Sequence, residues 1–565
     1  MRLSLLLSIS TALCATAGCG TTLQVADLIA HGHVRELRKR PRHAPRTSPG
    51  HPPILFLAFD GVDRSLLYDM LRQGELPHLA SLLGGQEGGF AHAHFDETLL
   101  STMPSSTMAA WTTAMTGLPP SQHGISGNEF FIREERRLGA PAPVSFSDAE
   151  PTLAMYTASY LDRMKAVPSV YDRLREKEHD LLVWVAVHQI FSGADWLLVT
   201  KPTILVTAFE HVVETAARKA AHKDKPRQPY VRLDNQVIDV VVEELRKGPV
   251  PDVLTVYLSG TDLYAHIAPE GPDAARRSYL KEVVDPAMGR LEARLRERSA
   301  LTDRWVVITS DHGHTQVVHD DEHALETKID DDAPAVMTRA GYHLRPMQLE
   351  VSKDTPFDAV FCGGGATAYV YVADRSSCGA GGASCDWARA PRYEADVLPV
   401  ADAYFRANEE GALAPGLKGT LDLVLTRRPR AHAEVDLPFE VYIGGGKTQP
   451  VAEYLAEHPH PTYIEAALRL RDLAEGPRGE RAGDVMLLAH NGDRADPAAR
   501  YYFAALYRSW HGSPSRQDSE IPLIVANPKA SRDAIHGRVE AVLGALPRQQ
   551  KITDLLLDLR QGAAP

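Results

Sequence analysis

Short apolar, β-branched runs recur along the chain, and each of them ends at polar residues. Runs of this kind are typical of strands that are covered on both faces. Helix-like stretches separate them, over residues 64–84, 209–221, 229–247 and 274–298. The alternation predicts an α/β fold, a three-layer αβα sandwich with a largely parallel sheet. The strand candidates are residues 54–59, 181–187, 253–258, 305–309 and 521–525.

The middle of the chain is less regular. Residues 320–500 contain Gly-rich turns and a Gly-rich loop between two cysteines, and they are interpreted as a continuation of the sheet plus a cap-like insertion. The folded unit is expected over residues 53–530, with a helical extension over residues 531–565.

The first residues have the composition of an export signal. Residues 1–19 contain one Arg, an apolar run and small residues that end at Cys19. The segment before Cys19 resembles the end of a bacterial lipobox, in which that Cys carries the lipid, although Thr16 stands where Leu is preferred. A lipid-anchored periplasmic or cell-surface protein is expected, and an ordinary signal peptide is the alternative. Residues 20–52, largely basic and Pro-rich, are interpreted as a flexible tether.

The net charge bears on the expected binding partners, and the positions of the cysteines bear on a disulfide bond. The chain has 61 Lys and Arg against 73 Asp and Glu, and a formal net charge of −12. An acidic chain is not expected to bind nucleic acid, because a phosphate backbone requires a basic face. Cys378 and Cys385 flank a loop that can turn back on itself, and an exported protein permits a disulfide bond there. Cys362 is expected to be a buried thiol.

Polar residues follow several of the predicted strands. Asp60 ends the first run, Asp262 and His266 follow the run at 253–258, and Asp311 and His312 follow the run at 305–309. In an open parallel sheet, the functional site lies outside the carboxyl ends of the strands, so these side chains should converge there.

A sixth candidate, His511, precedes the last predicted strand and would reach the site from a loop. Carboxylates mixed with imidazoles suit Zn²⁺, with Mn²⁺ as the alternative, and six ligands are enough for two ions. Two divalent ions can stabilise the attacking and leaving oxygens of a displacement at phosphorus.

The segment STMPSSTMAAWTTAMTG supplies a candidate nucleophile. Thr107 begins a plausible helix, and the amide groups at a helix N-terminus favour phosphate. A hydroxyl at that position can attack phosphorus once it is activated. From this segment alone, a cluster of Ser and Thr that only caps the helix remains the alternative.

Taken together and in this order, these motifs resemble the type I phosphodiesterase/nucleotide pyrophosphatase branch of the alkaline phosphatase superfamily. The resemblance covers residues 54–525 and implies an alkaline phosphatase-like catalytic domain. In the family the nucleophile lies ten residues before the Gly of the TG pair, which is Gly117 here and selects Thr107 over Ser105 and Ser106. The resemblance implies that one zinc is held by Asp262, His266 and His511. It also implies that the other zinc is held by Asp60, Asp311 and His312, and that Thr107 reaches the metal pair.

Two positions bear on the substrate. A periplasmic phosphatase branch of the superfamily has an Asn 21 residues after its Thr nucleophile, and Asn128 holds that place here, as a donor to the phosphoryl oxygen. The same branch has a Lys and an Arg after a strand, where this chain has His188 and Ile190. Two further histidines, His123 and His314, lie beside the motifs and are candidates for orienting ligands or phosphate.

The sequence therefore predicts an exported, metal-dependent phosphoryl hydrolase that prefers phosphodiesters or pyrophosphate linkages. Its expected substrates are small phosphate esters or lipid headgroups, and its contact with the membrane is through the lipid only. The alternatives are a phosphomonoesterase, a phospho-group transferase acting on an envelope acceptor, and a surface binding protein that has lost catalysis.

Overall fold

A computed structural model of the chain describes residues 51–562, apart from 86–88, 143, 145–159, 199–226, 329, 349–350, 383 and 429–437. The predicted signal, its lipidated Cys19, nearly all of the tether and the helix expected at 209–221 lie outside the described residues. Within the described part, no helix is both long enough and apolar enough to cross a membrane.

Within the described residues the central sheet has seven strands, and all but one of them run in the same direction. The largely parallel α/β architecture is therefore confirmed. The run expected at 521–525 forms a strand at 523–526, but this strand is antiparallel to both of its neighbours. In spatial order the strands are β2 (Ala93–Asp96), β17 (Leu523–Ala526), β8 (Trp305–Ser310), β1 (Ile54–Phe59), β7 (Val253–Leu258), β5 (Val183–Ala186) and β6 (Trp196–Leu197).

Helices cover both faces of this sheet and bury its apolar strands. Every residue of β1 is fully buried, as expected for a central strand of a three-layer fold. One layer contains α1 (Arg64–Arg72), α2 (Pro77–Leu82), α7 (Gln228–Lys247), α8 (Gly260–Ala265), α9 (Pro272–Tyr279) and α10 (Asp285–Glu297). The other contains α3 (Thr107–Thr116), α6 (Val170–Lys177), α16 (Arg532–Leu543) and α17 (Lys551–Gln561). The short helices α4 (Pro120–His123) and α5 (Tyr160–Met164) lie between α3 and α6 in the chain.

Two predicted helices are interrupted, and both interruptions have local causes. The stretch at 274–298 changes to a π-helical turn over Leu280–Val284, which ends two residues before Pro286, and Pro286 has no backbone N–H to donate to the preceding turn. The stretch at 64–84 breaks at Gly74, which adopts a φ of 77° that a continuing helix does not allow.

The insertion forms a sheet of its own. Its six strands are antiparallel, and none of the described ones joins the central sheet, so the expected continuation of that sheet is wrong. The order is β10 (Ala359–Gly364), β11 (Thr367–Val372), β15 (Val485–Ala489), β12 (Leu421–Arg427), β13 (Phe439–Gly444) and β14 (Lys447–Pro450). The helices α11 (Ala333–Arg339) and α12 (Leu398–Glu410) share a separate apolar core with it. The helices α13 (Val451–Glu457) and α14 (Ala466–Ala474) lie between β14 and β15 in the chain, and α14 contacts α4.

Three further short elements lie outside the two large sheets and the longer helices. A two-stranded ribbon pairs β9 (Thr315–Gln316) with β16 (Ser509–Trp510), and another pairs β3 (Phe130–Ile132) with β4 (Arg137–Gly139). A short helix, α15 (Arg516–Ser519), precedes β17. Cys378 and Cys385 are joined by a disulfide bond, and Cys362 is a buried free thiol.

Candidate active site

The neighbouring strands β1 and β8 end together and place one group of ligands. The last residues of these strands, Phe59 and Ser310, are paired, so Asp60 and Asp311 follow them side by side. His312 Nε2 lies 3.3 Å from Asp311 Oδ2 and 3.5 Å from Asp60 Oδ1. All three side chains are buried, and their ligand atoms lie within 4.8 Å of one another, which is close enough to hold a metal ion.

A second group lies at the end of the next strand, β7. Asp262 belongs to α8 and His266 follows this helix, so one helical turn brings His266 Nε2 to 3.4 Å from Asp262 Oδ1. His314 Nε2 lies closer, at 2.8 Å from the same oxygen, and His511 Nε2 lies at 3.7 Å. The compact groups of ligand atoms join Asp262 and His266 with His314, and join Asp262 with His312 and His511.

His511 reaches the site through the β9–β16 ribbon. The pairing of Trp510 with Thr315 holds His511 next to the segment that carries His312. The two imidazole rings are stacked, with centroids 3.6 Å apart and an interplanar angle of 19°. The structure thus brings all six predicted ligands together.

The imidazoles are oriented by backbone carbonyl groups. The Nδ1 atoms of His266, His312 and His511 lie 2.6 Å, 2.9 Å and 2.9 Å from the carbonyl oxygens of Ser509, Gly313 and Ser105 respectively. A carbonyl oxygen only accepts, so each Nδ1 carries the proton and donates it. In the neutral ring each Nε2 then has a lone pair, which is the form of imidazole that binds a metal ion.

The buried carboxylates fit cations at this place. Asp60 Oδ1 and Asp311 Oδ2 are buried and receive no hydrogen bond from any described residue, and the buried Asp262 Oδ1 faces the Nε2 atoms of His266, His314 and His511 at 2.8–3.7 Å. Burial raises the pKa of Asp60 well above its ordinary value, and the charges of Asp311 and Asp262 raise it further. Burial also lowers the pKa of His511 well below its ordinary value, and the neighbouring His312 adds to that effect. Divalent cations stabilise these carboxylates and imidazole lone pairs in one buried space.

Thr107 is the hydroxyl residue that faces the ligands. It begins α3, and its Oγ1 lies 3.2 Å from His312 Nε2. Ser105 is engaged elsewhere, because its Oγ donates to the Ser513 carbonyl and accepts from Arg469. The Ser106 hydroxyl is buried and makes no hydrogen bond with a described residue. Of the hydroxyls of Ser105, Ser106 and Thr107, only that of Thr107 contacts the side chain of a candidate ligand.

Asn128 lies beside the first turn of α3. Its Oδ1 accepts a hydrogen bond of 3.0 Å from the backbone N–H of Met108, the residue after Thr107. This contact fixes the orientation of the amide and leaves its Nδ2 to donate. No described residue accepts a hydrogen bond from that Nδ2.

The sequence profile of the type I phosphodiesterase/nucleotide pyrophosphatase family matches residues 54–369. The chain belongs to this family. It is therefore a hydrolase of phosphoric ester bonds in the alkaline phosphatase superfamily, and the family assignment made from the motifs is confirmed. The matched range contains Thr107 and all the predicted ligands except His511. Phosphodiesterases of this family depend on metal ions, which agrees with the clusters of Asp and His at this site.

Solved structures of mouse and human ectonucleotide pyrophosphatase/phosphodiesterase 5 are similar to this chain. The mouse protein is 12% identical with a TM-score of 0.46, and an inactive variant of it in complex with AMP is 12% identical with a TM-score of 0.47. The human protein is 13% identical with a TM-score of 0.46. Each comparison covers 91% of this chain and 96% of the other. No curated protein matches the chain.

Two glycines of the phosphodiesterase motifs have steric roles. Gly61 has a φ of 67°, and a Cβ there would lie 2.6 Å from His314 Nε2 and 2.8 Å from the Asp262 Cβ. A Cβ on Gly313 would lie 2.0 Å from the Gln517 carbonyl oxygen. Glycine after Asp60 and after His312 therefore lets two ligand-bearing segments approach each other.

Sequence reasoning missed several residues that support the site. The Tyr257 hydroxyl donates to Asp60 Oδ2, and Asp518 accepts from the Ser513 N–H and hydroxyl. Ser509 contacts both His266 and His314, through its carbonyl and its hydroxyl. Only Tyr257 offered a signal, as a polar group in the apolar run that precedes Asp262.

Three other histidines near the motifs, His123, His188 and His314, have different surroundings. His188 and Ile190 are buried, and burial lowers the pKa of His188 to about 3, so this imidazole is neutral. His123 Nδ1 accepts from the Ile125 N–H, and its Nε2 donates to Thr113 Oγ1 within α3, so His123 supports the helix. His314, in contrast, contacts Asp262 directly.

A further compact group lies in the insertion and consists of Asp422, His490 and Asp493. Its charges are already compensated. His460 Nε2 lies 2.8 Å from Asp422 Oδ1, and Arg494 contacts both Asp493 and His490. The arginine beside His490 disfavours a cation at that position.

Proposed function

We propose that this phosphodiesterase uses Thr107 as its nucleophile and depends on two divalent ions, with Zn²⁺ as the expected metal. The observation that carries the proposal is the contact of 3.2 Å between Thr107 Oγ1 and His312 Nε2, at the N-terminus of α3. It places one hydroxyl, and not its two neighbours, against the ligand cluster.

The expected ligand sets follow the two groups of side chains. Asp60, Asp311 and His312 would hold one ion, near Thr107. Asp262, His266 and His511 would hold the other. Ions at these positions supply positive charge that lowers the pKa of a nearby hydroxyl or water and stabilises charge on the phosphoryl oxygens.

The reaction proceeds by two displacements at phosphorus. Thr107 Oγ attacks the phosphorus of the diester, the bond to the leaving alkoxide breaks, and the hydroxyl proton of Thr107 ends on that alkoxide, which departs as an alcohol. A water molecule then attacks the phospho-threonine, the bond between Thr107 Oγ and phosphorus breaks, and a phosphomonoester is released. Thr107 regains its proton, and no other reactant is consumed.

Asn128 and α3 stabilise the charge that develops on the phosphoryl group. The Asn128 Nδ2 donates to a non-bridging oxygen, with its amide held by the Met108 N–H. The positive end of the α3 dipole lies at the same oxygens. Both effects are present before the substrate arrives, so they require no rearrangement during the reaction.

A diester is the expected substrate because the described site lacks a free basic side chain. His188 is neutral, and the Arg276 guanidinium, which reaches the Gly61 carbonyl, is paired with Asp63 and Asp273. Arg469 donates to groups behind the Thr107 segment. A diester brings one negative charge and a monoester nearly two, so the diester matches this environment better.

The direct test is hydrolysis of bis-nitrophenyl phosphate with and without a chelator. Wild-type protein should turn over the diester, lose activity with the chelator and regain it with Zn²⁺. Thr107→Ala should be folded, metal-loaded and nearly inactive. Full activity in exhaustively chelated protein would overturn the role of metals, and full activity of Thr107→Ala would overturn the nucleophile.

The lipid anchor is a separate proposal that rests on the sequence of residues 1–19. Mass spectrometry of the mature N-terminus should find Cys19 modified with acyl chains. Cys19→Ser should release the protein or leave the precursor uncut. A mature N-terminus without lipid would contradict the anchor.

A further inference from the structure

Arg469 is buried behind the active site. It lies on α14 of the insertion, and 1% of its surface is exposed. Its guanidinium group makes five hydrogen bonds, and every acceptor is a neutral oxygen. The acceptors are the carbonyls of Thr102, Ile464 and Pro514 and the hydroxyls of Ser105 and Ser519, at 2.8–3.3 Å.

Four of these five acceptors belong to the two segments that carry Thr107 and His511, and the fifth, the Ile464 carbonyl, lies just before α14 itself. Thr102 and Ser105 lie five and two residues before Thr107, and Pro514 and Ser519 lie three and eight residues after His511. The fork of the guanidinium therefore holds both segments at once, with Nη2 directed to the first and Nη1 to the second. A planar group with five donors can do this, and a single ammonium group cannot.

Ser105 connects the guanidinium to the ligands. Its Oγ accepts a bond of 2.9 Å from Arg469 and donates one of 2.9 Å to the Ser513 carbonyl. Its own carbonyl oxygen accepts from His511 Nδ1 at 2.9 Å, which fixes the tautomer of that imidazole. A change at Arg469 thus reaches both the orientation of His511 and the start of α3.

We propose that Arg469 is a positioning residue through which the insertion sets the geometry of Thr107 and His511. This inference rests on the proposed roles of those two residues. It assigns the insertion a function in catalysis, although the insertion has a sheet and an apolar core of its own.

The test compares Arg469→Met, Arg469→Lys and wild type. Displacing a reacting group by about 1 Å can lower the rate about 10²-fold. For Arg469→Met we expect kcat to fall at least about 30-fold with KM within about threefold of wild type. Zn²⁺ affinity, measured by chelator competition, should fall about tenfold, because the orienting partner of His511 is disturbed. Arg469→Lys should remain impaired, because it keeps the charge and loses the fork.

Arg345→Met is the matched control. Arg345 is also a buried arginine of the insertion, and its guanidinium donates to the Pro346 and Gln348 carbonyls. Its loss should change thermal stability while leaving kcat and Zn²⁺ affinity of the folded protein unchanged. This comparison separates positioning from a general loss of stability.

Ser105→Ala tests the connection from Arg469 through Ser105 to His511 without removing a buried charge. This variant replaces Arg469→Met as the test if Arg469→Met does not fold. We expect a fall in kcat of about three- to tenfold, and no further fall when Ser105→Ala is added to Arg469→Lys, because both changes break one network. The inference would be overturned if folded Arg469→Met had the kcat and Zn²⁺ affinity of the wild type. If Arg469→Met does not fold, the same result in Ser105→Ala would overturn it. That result leaves the nucleophile unaffected, which Thr107→Ala tests separately.

Discussion

The two groups of candidate ligands are built in different ways. Asp60, Asp311 and His312 follow two neighbouring parallel strands whose last residues are paired, so the sheet itself brings them together. Asp262 and His266 also follow a strand, but their further partners come from other parts of the chain. His511 arrives through the β9–β16 ribbon, and His314 follows the segment that carries the first group.

The difference shows which contacts are local and which depend on long connections. The first group requires only the register of β1 and β8. The second also requires the ribbon and the Ser105 carbonyl, which accepts from His511. We therefore expect substitutions in the first group to affect the chemistry directly. Substitutions around the second should act largely through metal affinity.

The largest expected effect is at the first group. Asp311→Ala and His312→Ala should each lower kcat/KM by at least about 10³-fold, because each removes a ligand beside the proposed nucleophile. Elemental analysis should find about one ion per chain fewer than in wild type. His323→Ala is the control, since His323 is also buried but bonds to Asp320 and the Ala498 carbonyl. Active protein that contains no metal would contradict the prediction.

A smaller effect is expected at Thr107, which contributes the covalent step and not the metals. Thr107→Ala should lower kcat by at least about 10²-fold while the metal content stays near that of wild type. Thr107→Ser keeps the hydroxyl and should retain activity. If Ser106→Ala is crippling and Thr107→Ala is not, the nucleophile has been assigned to the wrong residue.

A substitution beside the second group is expected to change the affinity for a metal ion. His314→Ala should weaken the binding of one ion about 10- to 100-fold, because the imidazole lies 2.8 Å from Asp262 Oδ1 and helps to fix this carboxylate. Activity should recover at saturating Zn²⁺. Chelator competition on the wild type and the variant measures the difference, and equal affinities would show that His314 does not support the site.

The sequence predicted the first ligand group better than the contacts that complete the second. Residues at strand ends were predictable, because an apolar run followed by Asp60, Asp262 or Asp311 has a defined place in a parallel sheet. The contact of His314 was not predictable, since it depends on the close approach that Gly61 allows. Arg469 lies more than 350 residues from the Ser105 hydroxyl that it reaches, and no periodicity signals such a pairing.

For the fold, the sequence predicted where the central strands lie, but not the direction of β17 or the sheet that the insertion forms. The apolar runs predicted the central strands, including all six residues of β1 and of β7. The direction of β17 was not predictable, because burial makes a strand apolar whether it is parallel or antiparallel. The separate sheet of the insertion was missed for a related reason. Its strands pair with each other across long connections, and composition does not tell which sheet a strand joins.

The smallest expected effect concerns the choice of substrate, which depends on charge near both groups together. The second negative charge of a monoester requires a basic group at the phosphoryl oxygens. His188 does not provide one. With a pKa of about 3 it is uncharged at every pH above about 5, and it is fully buried against Trp111 and Tyr257. We expect kcat/KM for bis-nitrophenyl phosphate to exceed that for nitrophenyl phosphate by about tenfold, or about 1.4 kcal/mol of transition-state discrimination. The preference should persist from pH 6 to pH 9, because no titration of His188 falls in that range. A monoester preference of about tenfold or more would show that a basic group reaches the phosphoryl oxygens after all.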